Sequence, residues 1–74
     1  MKMFGRKMTM TGDQRNRKKL MKILDKFKAD CTSVKTIKGD EDSEDRFEII
    51  CYVKEKKIGK VCHKIDGLVD YTIG

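Results

Sequence analysis

The stretch Thr11–Ala29, TGDQRNRKKLMKILDKFKA, decides how this chain folds. Within it Leu20, Ile23, Leu24 and Phe27 recur at i, i+3, i+4 and i+7, which places four large apolar groups on one stripe of a helix. Lys and Arg fill the positions between, so the outer face is strongly basic. Thr11 and Gln14 stand at capping-box spacing, which predicts a helix opening at Thr11 or Asp13 and running from Gln14 to about Ala29. Lys26 and Lys28 then fall in its last turn, where cations suit the negative end of the helix dipole.

Short extended segments flank this helix. Upstream, Met1–Met10 carries Phe4, Met8 and Met10 on one parity, and Gly5 and Thr9 disfavour a helix, so an edge-quality strand is expected. Downstream, Cys31–Lys38 (CTSVKTIK) sets Val34 against Lys35 and Ile37 against Lys38, a strand that Gly39 ends. Asp40–Asp45 (DEDSED) holds five carboxylates and no apolar group, and reads as an exposed hairpin loop. Arg46–Val53 (RFEIICYV) is the most strand-like run, with Phe47, Ile49, Cys51 and Val53 on one face and Ile50 and Tyr52 on the other. Glu55–Ile65 returns to helical spacing through Ile58, Val61, Cys62 and Ile65, although Gly59 inside it costs about 1 kcal/mol against Ala. Asp66-Gly67 ends that helix with Gly in the left-handed position, and Leu68–Ile73 gives a last strand with Val69, Tyr71 and Ile73 in phase.

The predicted order is strand, helix, strand, strand, helix, strand. Right-handed crossovers put both helices on one face of a four-stranded antiparallel sheet, a ferredoxin-like βαββαβ sandwich of the α+β class. At 74 residues the chain forms one domain, 1–74. A chain of that length hides only about 60% of the surface its unfolded form exposes, so self-association or attachment to a parent chain would help it.

Composition narrows function. Eighteen Lys and Arg against 12 Asp and Glu give a net charge of +6, which favours an anionic partner such as nucleic acid or a lipid surface. Three cysteines, Cys31, Cys51 and Cys62, without a C-x-x-C pair suggest neither a disulfide framework nor a zinc site, and fit a reducing cytosol. No run approaches the roughly 18 apolar residues that span a bilayer.

Several families use this scaffold, so residues must separate them. A heavy-metal carrier would place paired cysteines in the first strand-to-helix loop, where Thr11, Gly12 and Asp13 stand instead. An RNA-recognition module would stack bases on Phe47 and Tyr52 of Asp45–Tyr52 (DRFEIICY), but Arg46 and Glu48 replace the small residues of that pattern. The run from Met8 onward, with its Asp-led loop Thr11-Gly12-Asp13, the helix carrying Leu20, Leu24 and Phe27, the strand Cys31-Thr32-Ser33-Val34 and the ending Val61…Ile65-Asp66-Gly67-Leu68-Val69-Asp70-Tyr71, resembles an ACT-like regulatory domain. That resemblance implies a ligand site at Thr11, Gly12, Asp13 and Asn16. Amino-acid-binding members keep Gly three residues after the loop Asp, and Asn16 stands there. This points to degenerate ACT-like domains such as the cytosolic C-terminal domain of the MgtC/SapB family of magnesium-linked membrane proteins.

The resemblance implies a non-enzymatic regulatory domain, dimeric, and cytoplasmic at the inner face of the membrane through a parent chain. A small RNA-binding module is the alternative; neither DNA nor a cofactor is expected. Cys62-His63 are adjacent and point about 100° apart on a helix, so they converge on no metal or substrate. With a single His and no Gly-rich phosphate loop, no catalytic residues are assigned. Asp40–Asp45 lacks the spacing of a calcium loop and reads as a solvated tip, so no metal site is assigned there. Arg15, Arg17, Lys18, Lys19, Lys22, Lys26 and Lys28, with Lys56, Lys57, Lys60 and Lys64, are expected to share one outer face suited to anionic lipid headgroups or to an acidic protein.

Overall fold

Alternating burial along two central strands sets the architecture. In a computed structural model, which describes residues 5–74, the elements are β1 (Arg6–Asp13), a 3₁₀ turn (Gln14–Asn16), α1 (Arg17–Lys26), β2 (Asp30–Ile37), β3 (Arg46–Val53), α2 (Glu55–Ile65) and β4 (Asp70–Ile73). Met8 and Met10 of β1 and Phe47, Ile49, Cys51 and Val53 of β3 point to one side of the sheet, where Leu20 and Leu24 of α1 and Val61 and Ile65 of α2 meet them. Ile23, Phe27, Ile58 and Cys62 pack around this core. Both helices therefore cover the same face.

The sheet order is β2-β3-β1-β4 with every neighbouring pair antiparallel. This is the expected ferredoxin-like α+β sandwich. β3 and α2 have the bounds read from the sequence, because their patterns are local and long enough to stand alone. The Met1–Phe4 part of the expected first strand lies outside the described residues.

The start of the first helix differs from expectation. β1 continues through Asp13, Gly12 pairing with Phe47 and Asp13 with Arg46, so Thr11 and Asp13 are strand residues. No capping box forms, and neither Asp13 nor Asn16 makes a side-chain capping bond. Gln14 instead donates its Nε2 to Thr36 Oγ1 at 3.2 Å and its backbone N–H to the Asp45 carbonyl at 3.1 Å. Ladder pairing outcompetes the cap, and a 3₁₀ turn makes the transition.

The far end of α1 also closes early. Lys28 adopts φ 56°, and the Lys28 and Ala29 amides return to the Asp25 and Leu24 carbonyls at 3.0 and 2.9 Å, the Schellman pattern with a lysine in the left-handed position. After α2, Gly67 is left-handed as expected, at φ 80°. It occupies the third position of a turn in which the Leu68 amide donates to the Ile65 carbonyl at 2.9 Å. Leu68 and Val69 are spent in that turn, so the last strand is shorter than read, beginning at Asp70.

β2 forms the outer edge and is thinly covered. Val34, opposite Ile49, is 40% exposed, and Ile37, opposite Arg46 on the other face, is 45% exposed. The two apolar residues stand three positions apart in the regularly paired part of β2, which puts them on different faces.

Candidate functional site

Three of the four residues singled out in the sequence meet at the end of β1. Thr11, Gly12 and Asp13 line an open cleft of about 210 Å³ whose other walls are Arg46 of β3 and the segment Gly67-Leu68-Val69-Asp70. Asn16 is absent from the lining. Its Nδ2 donates to the Leu68 carbonyl at 3.2 Å, so it holds the turn behind the cleft against the 3₁₀ turn.

Gly12 forms the floor. A Cβ there would lie 2.9 Å from Val69 Cγ1 and 3.2 Å from Phe47 Cζ, so packing of the two apolar neighbours requires glycine. Arg46 spans the opening. Its Nη1 donates to Asp13 Oδ1 at 3.2 Å and its Nη2 approaches Asp70 Oδ2 at 3.5 Å. Arg15 adds a second guanidinium to Asp13 Oδ2 at 3.4 Å. The Asp70 side chain is 88% exposed, so these pairs are each worth at most about 1 kcal/mol.

This arrangement clips β1, β3 and β4 together electrostatically. Among the described residues, no three His, Cys, Asp or Glu side chains come together as a metal site. At the acidic hairpin the Asp45 Oδ1 accepts the Gly39 amide at 3.0 Å, while Asp40, Glu41, Asp42 and Glu44 are exposed.

Arg46 and Asp70 escaped the sequence reading because they lie 33 and 57 positions from Asp13. A usable signal existed: in this topology β3 neighbours β1 antiparallel, which sets the start of one strand beside the end of the other.

The uncovered sheet face carries Tyr52 between Lys7 and Asp30, Ile50 between Thr9 and Ser33, and Glu48 between Thr11 and Lys35. Phe47 is fully buried under the helices, so of the two rings suited to base stacking only Tyr52 lies on this open face. The Tyr71 phenol, on the opposite face, is pushed above its ordinary value, first by the adjoining Cys62 thiol.

On the helical side, Lys18, Lys19, Lys22 and Lys26 of α1 and Lys56, Lys60 and Lys64 of α2 are exposed. Arg17 and Lys57 are half-buried, Arg15 and Lys28 flank α1, and Asp25 and Glu55 are the helices' acidic residues. Glu55 has Arg6 at 3.9 Å. No helix among the described residues is long and apolar enough to cross a membrane.

Comparison with known protein families, curated proteins and solved structures finds no match for this chain.

Proposed function

We propose that this chain is a non-enzymatic regulatory or interaction domain, ACT-like in build, that serves as the cytosolic part of an MgtC/SapB-type membrane protein linked to magnesium transport. In this reading its helical layer rests on the anionic inner surface of the membrane, and its open sheet face is left for self-association. One observation carries the docking surface: the lysines of α1 and α2 project from two helices packed on the same side of the sheet. Juxtamembrane basic residues contribute about 1 kcal/mol each near an anionic surface and lose it within a Debye length.

The cleft beneath Arg46 is secondary here, since Asp13 and Asp70 already engage its guanidinium. An RNA-binding role has less support, because Phe47 is buried and Tyr52 shares its face with Glu48, Asp30 and Asp13.

Co-sedimentation with vesicles tests the docking surface. Binding to vesicles containing phosphatidylserine, absent from neutral vesicles and weakened by salt, is expected; equal binding to both compositions ends the proposal. The parent-chain part is checked in the full reading frame. Transmembrane segments joined to this domain support it, and a frame without any overturns it.

A further inference from the structure

Cys31 and Cys51, twenty positions apart in the sequence, are register partners across β2 and β3. Directly opposed residues of an antiparallel pair have Cα atoms about 4.5 or about 5.5 Å apart, depending on the type of pair. Both spacings fall inside the window of about 4.4–6.8 Å that a disulfide spans. Opposed side chains also share a face. Cys51 is fully buried beneath the helices, and Cys31 packs against the same core at the rim, half-exposed where β2 begins. The two thiols sense each other, since the charge of Cys31 is one cause, after burial, of the upward shift at Cys51.

We infer that Cys31 and Cys51 form a redox-active dithiol, a modification site that a low-molecular-weight disulfide such as oxidised glutathione converts to a cross-strand bond. Cys31 is the accessible partner and attacks first. Its thiolate joins one sulfur of the reagent and releases the other as glutathione thiolate. Cys51 then gives up its proton and attacks the Cys31 sulfur, expelling the second glutathione thiolate. The two protein thiols lose two electrons and two protons in all, and one reagent disulfide becomes two thiols.

The local fold permits this closure and makes it selective. Among the described residues β2 has a strand neighbour on one side alone, and its register shift follows directly after Cys31, so the backbone can adjust to the new bond. Cys62 stands on α2, beside Tyr71 of β4, away from the β2–β3 pair. The new bond would tie the edge strand to the sheet and close a loop through the acidic hairpin. Burial pushes both thiols up, Cys51 to about 12. Exchange therefore proceeds slowly at neutral pH and is best driven under mildly alkaline conditions.

The test oxidises the folded full chain with glutathione disulfide, stops the exchange with acid, blocks the remaining thiols with iodoacetamide in denaturant, where the buried Cys51 is reachable, and maps the peptides by mass. Three alkylatable thiols should fall to one, Cys62, with the Cys31 and Cys51 peptides joined within a monomer and separated again by dithiothreitol. Cys62→Ala should leave that bond unchanged, and Cys31→Ala, at the half-exposed member, should abolish it without disturbing the circular dichroism. Alkylation of all three cysteines, a stable glutathione adduct left on Cys31, or links only between chains would each overturn the inference.

Discussion

Gly12 and Gly59 should respond oppositely to one added methyl group. At Gly12 the new Cβ meets Val69 and Phe47 inside closest packing, whereas at Gly59 nothing lies within 4 Å. Gly12→Ala should lower unfolding free energy by about 1–3 kcal/mol, and Gly59→Ala should raise it by about 1 kcal/mol, both read from urea denaturation. The second effect was visible in the helical spacing around Gly59; the first depends on the pairing of Gly12 with Phe47, which no local pattern shows. Cys51 gives a pH signature. Burial raises its thiol from 9.0 to about 12, so the folded state holds that proton more tightly than the unfolded chain. Its contribution is complete below pH 9.0 and is lost as pH climbs toward about 12. Under reducing conditions, denaturation midpoints should fall across that window in the wild-type protein and fall less in Cys51→Val. Equal slopes in both would place the alkaline loss elsewhere.

Elements with self-contained patterns were legible, and those completed by distant partners were not. β3 and α2 kept their bounds because eight alternating residues and four apolar positions at helical spacing need no outside help. β1 ran past the apparent cap because Thr11, Gly12 and Asp13 gain ladder partners in Glu48, Phe47 and Arg46. The candidate site was half legible for the same reason: three residues of one loop were found, and the arginine that crosses them was not. Asn16 shows what the loop does mechanically. It links the 3₁₀ turn to the Leu68 carbonyl, joining two connections that are 52 residues apart. Asn16→Ala should cost about 0.5–1.5 kcal/mol through that lost bond. It should also speed amide exchange at Leu68 and Val69, whose amides both return to the Ile65 carbonyl. Unchanged exchange there would mean that the turn after α2 holds itself.

At the scale of the molecule, charge is sorted by layer. The helices present lysines outward, while the hairpin carries carboxylates and the open sheet face sets Lys7, Lys35 and Arg46 among Asp13, Asp30 and Glu48. A net charge of +6 alone would draw the domain to any anionic surface in any orientation, whereas a sorted layer fixes which side makes contact. Two variant sets separate these cases. Replacing Lys18, Lys22, Lys56 and Lys60 by Glu takes eight positive charges from the helical layer, and should abolish sedimentation with phosphatidylserine vesicles while leaving the circular dichroism unchanged. Neutralising the hairpin by Asp40→Asn, Glu41→Gln, Asp42→Asn and Glu44→Gln makes the chain four charges more positive. Attraction through total charge would then move the salt concentration that releases the protein sharply upward. Docking through the helices moves it little, because screening over about 10 Å confines the interaction to groups near the contact. A large upward move in the hairpin variant would therefore count against an oriented surface, even if the lysine variant behaves as expected.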